Sequence, residues 1–171
     1  MSKEVFFDYS EFMVSKTDTR GLIKYVNKTF IDISGFSEEE LIGKPHAIIR
    51  NAWMPRCIFK YFWDTIEQGQ EMFAYVVNRC KNDDYYWVLA YVTPDLDPKT
   101  GKVVGYHSVR RVPSRDAVSA ISELYAQLRK TEEQYSSKKE GMEASLKEFF
   151  ALLEEKGLSY EEWIYSLEES A

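Results

Sequence analysis

Residues 12–34 read FMVSKTDTRGLIKYVNKTFIDIS, and this stretch decides the fold. Two short runs rich in apolar and β-branched residues, 12–17 and 22–26, flank an Asp-Thr-Arg-Gly turn whose glycine can adopt positive φ. This arrangement predicts a β-hairpin. Asn27 follows directly and can cap a short helix that runs to Ser34. The first part of the chain is therefore expected to form two paired strands and a capped helix.

The chain continues with short helices and then three more strands. A capping box begins at Ser37, and residues 55–69 repeat apolar side chains at helical spacing. Strands are predicted at residues 71–79, 85–94 and 103–112, with Asn82 and Asp83 forming the turn between the first two. This order predicts an α+β fold in which a five-stranded antiparallel sheet carries short helices on one face.

The apolar spacing becomes helical after residue 113. A heptad seam interrupted by Glu132 and Lys139 contains Val118, Ile121, Tyr125, Leu128, Tyr135, Met142, Leu146, Phe149 and Leu153. We therefore divide the chain into a domain over residues 1–113 and a helical extension over residues 114–171. The extension is either one long helix of a dimeric coiled coil or an antiparallel helical hairpin.

Composition and charge exclude several classes of protein. The chain has 171 residues, of which 44 % are hydrophobic and 29 % charged, so it is not a mostly disordered chain. No apolar run approaches the roughly 18–20 residues of a membrane-spanning helix. Residues 1–113 carry 15 basic and 15 acidic side chains, and residues 114–171 carry 7 and 13. This balance provides no basic surface for nucleic acid.

The sequence also lacks the patterns of an enzyme or a secreted protein. No nucleophile–base constellation, glycine-rich phosphate loop or paired carboxylate motif is present, which favours a non-enzymatic role. The start of the chain has no secretory signal pattern. Cys57 and Cys80 do not have the spacing of a metal or redox pair, and we expect a reducing, cytoplasmic location.

The order of several short motifs resembles a PAS domain. These motifs are Asp18-x-x-Gly21-x-Ile23-x-Tyr25-x-Asn27-x-x-Phe30, Ser34-Gly35-Phe36, residues 40–46, Asn78-Arg79, Tyr86-Trp87-Val88 and Ser108-Val109-Arg110. The resemblance covers roughly residues 12–113 and is greatest to the flavin-binding PAS domain of bacterial aerotaxis receptors and their energy-taxis relatives. It implies a PAS fold with a cofactor pocket between the sheet and the short helices.

The resemblance also implies a set of cofactor-binding residues. Arg50 and Trp63 match positions that support FAD binding in the family, whereas Asn51 and Trp53 stand where the family has histidine and aspartate. The expected FAD-binding set is His46, Arg50, Asn51, Trp53, Trp63, Asn78 and Tyr91. We expect Val14, Ile33, Ile48 and Ile49 to line the same pocket. No metal site is predicted.

Three functions fit this sequence. The first is a cytoplasmic redox or energy sensor that binds FAD, forms a homodimer and signals to a membrane-bound chemotaxis-type receptor without itself entering the membrane. The second is a cofactor-free PAS module for dimerisation or docking, with side chains such as Trp53 filling the pocket. The third is a gas sensor in which His46 or His107 ligates haem. Light sensing through a cysteine adduct is excluded, because Cys57 lies in the wrong motif.

Overall fold

The computed structural model describes residues 1–169 and contains five β-strands and six α-helices within them. The strands are β1 (Met13–Thr17), β2 (Ile23–Val26), β3 (Met72–Arg79), β4 (Tyr85–Leu96) and β5 (Val103–Arg111). The helices are α1 (Lys28–Ser34), α2 (Glu38–Leu41), α3 (Arg56–Glu67), α4 (Arg115–Glu133), α5 (Lys138–Lys156) and α6 (Tyr160–Glu169). A 3₁₀ helix covers His46–Ile49.

The strands form one antiparallel sheet in the order β2-β1-β5-β4-β3. Chain-adjacent strands pair as hairpins within β1-β2, β3-β4 and β4-β5, and the β1-β5 pairing joins the two halves of the sheet. The predicted five-stranded α+β fold is therefore confirmed. Because β5 lies at the centre of the sheet, its side chains are surrounded by neighbours on both sides.

Asn27 joins the first hairpin to the first helix. Its Oδ1 accepts hydrogen bonds from the backbone N–H of Phe30 and of Val14, both at 3.0 Å. Its Nδ2 donates to the carbonyl oxygen of Phe12 at 2.8 Å. One side chain thus caps α1 and also satisfies β1. This confirms the capping role predicted for Asn27 and fixes α1 beside the start of the sheet.

Local turn and cap signals in the sequence are also confirmed. The Asp18 carboxylate accepts from the backbone N–H of Leu22 at 3.0 Å, which lowers the pKa of this carboxyl. Ser37 and Glu40 form the reciprocal capping box of α2. Asp83 adopts a φ of 69°, the left-handed conformation that its turn requires. These short-range interactions determine where the elements begin and end.

The chain divides into two compact units. The first comprises residues 1–51 and 65–112, and the second comprises residues 52–64 and 113–171. Residues 52–64 were expected in the first domain, yet they belong to the second unit. They include the N-terminal part of α3, whose partners in that unit are described below.

The first unit has an apolar core on one face of the sheet. Its buried residues are Met13, Ile23, Val26, Phe30, Phe36, Leu41, Ile49, Cys80, Tyr86 and Val88, with Ile31, Ile33, Ile48 and Val76 packed against them. These side chains come from the sheet, α1, α2 and the 3₁₀ helix. We call the sheet face that carries Met13, Tyr86 and Val88 the inner face.

The second unit contains an antiparallel hairpin of α4 and α5. Gln127 Nε2 donates to Glu148 Oε1 at 2.7 Å, and Ser145 Oγ donates to Glu132 Oε2 at 2.6 Å, so the contacts run in opposite directions along the two helices. Of the two arrangements left open by the sequence, the structure has the hairpin. Among residues 1–169, none of the helices combines the length and apolar composition that a membrane crossing requires.

Glu132 holds residues 52–64 within the second unit. Its side chain is buried, and its carboxylate accepts from the backbone N–H of Arg56 at 2.9 Å and of Cys57 at 3.0 Å. These are the first two residues of α3, so the carboxylate meets the positive end of that helix. Arg129 Nη1 also donates to the carbonyl oxygen of Trp53 at 2.7 Å. The polar break in the predicted seam is therefore a helix cap supplied from another part of the chain.

Candidate functional site

The candidate site lies on the inner face and is built around Arg110 of β5. In the strand register, Arg110 lies opposite Met13 on β1 and Ala90 on β4, and Ser108 lies opposite Ser15. Alternate residues of a strand point to the same side, so Ser108 and Arg110 share the inner face. Only 4 % of the Arg110 surface is exposed. A cationic side chain is therefore buried in the core of the first unit.

Arg110 is held in place by neutral groups. Its Nη2 donates to Ser15 Oγ at 2.9 Å and lies 2.7 Å from His46 Nε2. Its guanidinium carbon is 5.4 Å from the centroid of the Phe30 ring. This distance is within the range of a cation–π contact. Burial lowers the pKa of Arg110 to about 10, which leaves the side chain charged at neutral pH.

The charge of Arg110 has no acidic partner among the described residues, since the ion pairs found there involve other side chains. Its Nη1 is fully buried and makes no hydrogen bond. An unpaired buried donor costs about 1–3 kcal/mol, and more when it is charged. The interior of the first unit thus contains a positive charge without an acidic partner, and Nη1 donors without an acceptor, among residues 1–169.

His46 positions Arg110. Burial of its imidazole, together with the nearby Arg110 charge, lowers the pKa of His46 to about 3, so the ring is neutral at pH 7. A neutral ring has one nitrogen that accepts, and the 2.7 Å contact with the Arg110 donor assigns that role to Nε2. The ring also meets Phe30 edge-on, with centroids 6.1 Å apart. His46 therefore orients the guanidinium through its own lone pair.

Asn78 and Tyr86 place further polar groups on the inner face. They lie directly opposite each other on β3 and β4, and both are buried. The Tyr86 hydroxyl makes no hydrogen bond of standard geometry, although Asn78 lies near enough to affect its ionisation. Burial raises the pKa of Tyr86, while the Arg110 charge acts in the opposite direction. The hydroxyl is therefore a neutral group within electrostatic range of Arg110.

The buried side-chain atoms without hydrogen-bond partners fall on one side of the sheet. Within residues 1–169 they are Thr17 Oγ1, Tyr86 Oη, Ser108 Oγ and Arg110 Nη1. The strand register places all four residues on the inner face. Buried polar atoms in native proteins are almost always paired, so a group of orphans on one face indicates a ligand or ordered water. We refer to these four atoms as the orphan cluster.

Several residues predicted from the sequence lie near this cluster. Asn78 faces it, and His46 contacts Arg110 directly. The backbone of Arg50 pairs with that of Asn78 through an isolated bridge, and the Arg50 charge lowers the pKa of His46. Asn51, the next residue along the chain, is half-buried and follows the 3₁₀ helix. The structure therefore brings His46, Arg50 and Asn78 together.

Two predicted pocket residues lie on the wrong side of the sheet. Tyr91 pairs with Val109, and Val14 also pairs with Val109, so both point away from Ser108 and Arg110. Tyr91 instead stacks on Phe73 with ring centroids 4.4 Å apart, and its hydroxyl donates to Glu71. The expectation that these side chains line a pocket with Asn78 is corrected by the strand register.

The two tryptophans of the predicted set belong to the second unit. Trp53 is 42 % exposed, and its carbonyl oxygen is held by Arg129. Trp63 lies on α3, where its ring meets that of Phe62 edge-on at 6.0 Å. Ile33, Ile48 and Ile49, which were predicted to line the pocket, lie in or against the apolar core of the first unit. His107, the second histidine considered for haem, lies on the face opposite Arg110.

The predicted site did not include four residues of the inner face, which are Ser15, Tyr86, Ser108 and Arg110. Their signal was the spacing of Ser108 and Arg110 at alternate positions of the predicted strand at residues 103–112. This places a hydroxyl and a charge on one buried face, where apolar side chains are expected. Arg110 had been noted only as part of the family resemblance.

Comparisons with known proteins agree on the fold. A family model described as the PAS fold matches residues 23–110. The aerotaxis receptor of Escherichia coli (strain K12) is 36 % identical over 116 residues, which cover 68 % of this chain and 22 % of the receptor. The nitrogen fixation regulatory protein of Klebsiella pneumoniae is 29 % identical over 98 residues, covering 57 % and 20 % of the two chains. The chain thus spans about a fifth of the length of these relatives.

Solved structures are also similar. A light-oxygen-voltage domain studied with a flavin analogue superposes with a TM-score of 0.60 at 18 % identity, covering 67 % of this chain and 86 % of that one. The light-state structure of the Aureochrome1 light-oxygen-voltage domain gives 0.58 at 19 % identity, with coverages of 69 % and 91 %. At these identities, the likeness concerns the fold.

Proposed function

The chain belongs to the PAS-fold family, and on that premise we propose that it is a redox or energy sensor that binds FAD inside the first unit. The observation that carries this proposal is the buried guanidinium of Arg110, which has no acidic partner among residues 1–169 and whose Nη1 makes no hydrogen bond. The other orphan atoms lie on the same face of the sheet. The similarity to the aerotaxis receptor supports the choice of sensing function.

The residues on the inner face fit the polar edge of a flavin ring. That edge presents two carbonyl oxygens and ring nitrogens as acceptors, with a single N–H donor between the carbonyls. Arg110 Nη1 and the hydroxyls of Tyr86 and Ser108 can donate, and the Asn78 amide can both donate and accept. Apolar neighbours such as Phe30 and Val88 provide walls for a flat ring system. The donor set therefore matches an acceptor-rich planar ligand.

The other residues of the family pattern receive roles by proposal. Arg50, exposed beside Asn78, would meet the pyrophosphate of FAD, and Asn51 would provide a hydrogen bond next to it. His46 acts through Arg110, whose orientation it fixes. Trp53 and Trp63 belong to the second unit, and Tyr91 lies on the other face of the sheet, so none of the three receives a role at this site.

When bound, the flavin supplies reversible electron transfer, and the protein detects the resulting change of charge and hydrogen bonding. Arg110 stabilises added negative charge, while Asn78 can exchange donor and acceptor ends by rotating its amide. Asn78 and Arg110 lie on β3 and β5, so a change in their bonding acts on the sheet. The sheet would thus have two packings whose populations depend on the ligand.

A membrane-bound chemotaxis-type receptor is the proposed partner, on the strength of the aerotaxis similarity. Homodimer formation is a separate proposal. The apolar seam of α4 is buried within the second unit, at Val118, Ile121, Tyr125 and Leu128, so covering it does not require a second copy. Light scattering on the purified chain tests the dimer, which would give twice the monomer mass of 20.1 kDa.

The cofactor-free alternative has less support. It required a side chain such as Trp53 to fill the interior, and Trp53 is 42 % exposed. It also leaves the charge of Arg110 without a partner. Haem ligation by His46 is disfavoured because its accepting nitrogen already meets Arg110 at 2.7 Å.

The proposal is tested by the absorbance spectrum of freshly purified protein between about 300 and 700 nm, followed by identification of any released cofactor. We expect the two visible bands of a flavin and release of FAD. Arg110→Gln should lower flavin content, whereas Arg111→Gln should not, since Arg111 lies on the other face of β5 and bonds to Tyr9. A colourless wild-type protein that also fails to take up added FAD would overturn the proposal.

A further inference from the structure

Arg110 is an uncompensated positive charge in the interior of the first unit. The groups that touch it are a hydroxyl, a neutral imidazole and an aromatic ring. Its Nη1 donors remain unused. Such a cation is most favourable beside a group that carries negative charge, because desolvation penalises an unpaired ion. The site would therefore bind a negatively charged form of a ligand more favourably than a neutral form.

The groups around Arg110 keep fixed charges near neutral pH. His46, from the 3₁₀ helix, is neutral because its pKa lies near 3. Burial raises the pKa of Tyr86 on β4, and it raises the pKa of Cys80, near Tyr86, to about 11. Arg50 adds a second positive charge near His46. Between pH 6 and 8, about three units inside these limits, a proton taken up at this site must bind to the ligand itself.

We propose that Arg110 meets the N1–C2 carbonyl edge of the bound flavin and selects the anionic form of the two-electron-reduced ring. This inference rests on the proposed flavin binding and adds the orientation of the ring and the control of its protonation. Arg110 is assigned to this edge because reduction places negative charge at N1 and the C2 carbonyl oxygen, where a fixed cation stabilises that charge most.

The chemistry balances as follows. Two electrons from an external donor, dithionite in the test, and one proton at N5 convert the oxidised ring to an anion with its charge at N1. Without Arg110, burial alone would act on the reduced ring and would raise the pKa of N1, so a second proton would bind there and the reduced ring would be neutral. The count of protons per two electrons therefore reports whether the guanidinium faces this edge.

The test is the midpoint potential of the flavin-loaded full chain, measured between pH 6 and 8 by dithionite titration. A two-electron couple shifts by about 30 mV per pH unit for one proton and by about 59 mV for two protons. We expect the one-proton slope for wild type and for Arg111→Gln. Arg110→Gln should show the two-proton slope and a potential at least about 30 mV lower at pH 8, which is a tenfold loss of preference for the reduced ring.

Each outcome decides the inference separately from the proposed function. If the wild type binds FAD but shows the two-proton slope, or if Arg110→Gln leaves slope and potential unchanged, Arg110 does not face N1, although flavin binding stands. If no flavin binds, both proposals fail. If Arg110→Gln cannot hold flavin, Arg110→Lys decides, because it retains the charge: a one-proton slope supports the inference and a two-proton slope contradicts it.

Discussion

Replacing Glu132 by alanine should destabilise the second unit, although a charged residue in an apolar seam would be expected to weaken it. The carboxylate is 3 % exposed and accepts three hydrogen bonds, from two backbone N–H groups at the start of α3 and from Ser145 Oγ. Alanine leaves both N–H groups without an acceptor. It also removes a negative charge from the positive end of the helix.

The expected loss follows from these contacts. A buried donor left unpaired costs about 1–3 kcal/mol, and loss of an N-terminal cap costs about 0.5–2 kcal/mol. The substitution also removes the cost of burying a carboxylate, which offsets part of the loss. We therefore expect Glu132→Ala to lower the free energy of unfolding by about 3 kcal/mol. Glu132→Gln retains one good acceptor and should cost less.

The assay is urea denaturation followed by far-ultraviolet circular dichroism, with amide hydrogen exchange on the native protein. The backbone amides of Arg56 and Cys57 should exchange faster in the variant. Glu133→Ala is the matched control, since its side chain is the exposed neighbour and should change stability by less than about 0.5 kcal/mol. Equal stability of Glu132→Ala and Glu133→Ala, or unchanged exchange at the two amides, would refute the capping role.

Two further predictions concern a helix contact and a titration. Helix propensity alone predicts that Gly141→Ala stabilises the protein by about 1 kcal/mol. We expect it to destabilise the protein instead, because the added Cβ would lie 2.6 Å from the carbonyl oxygen of Glu132. An increased midpoint of urea denaturation would contradict this. The pKa of His46 is 6.5 in the unfolded chain and about 3 in the folded chain, so between these values the unfolded chain binds one more proton. The free energy of unfolding should therefore decrease as the pH drops from 6.5 towards 3, by at most about 1.4 kcal/mol per pH unit. A nitrogen NMR titration in which the His46 ring charges above pH 5 would rule this out.

Signals that act over a few residues were readable from the sequence. The side chains of Asn27 and Ser37 accept hydrogen bonds from nearby backbone N–H groups and cap the helices as predicted. Asp83 adopts the positive φ of the turn predicted for it. The antiparallel sheet was predicted from the succession of strands and short helices along the chain, together with the family resemblance, but the order of the strands within the sheet was not predicted.

The facing of strand residues could not be read in the same way. β4 is buried on both faces from Tyr86 to Ala90, so no alternation of polar and apolar residues shows which side chains face the inner core. Tyr91 was therefore placed on the wrong face. Its true side depends on pairing with Val109, a residue on a different strand.

Glu132 and Arg110 were missed for a related reason. Charged residues are usually exposed, so neither was expected in a core. Glu132 was interpreted as a break in the apolar seam, and Arg110 was noted only within a motif of the family resemblance. The partners of Glu132 are the amides of Arg56 and Cys57, about 75 positions earlier in the chain. Only the folded arrangement shows that one charge is fully bonded and the other is not.

Equilibrium binding of FAD to Arg110 variants is the most direct test of whether the buried Arg110 guanidinium holds a flavin. Flavin fluorescence or dialysis would give dissociation constants for wild type, Arg110→Gln and the control Arg111→Gln under the same conditions. We expect Arg110→Gln to bind FAD at least about tenfold more weakly than wild type, equivalent to about 1.4 kcal/mol, and Arg111→Gln to bind like wild type. Equal affinity of wild type and Arg110→Gln would contradict a flavin site built around this buried guanidinium.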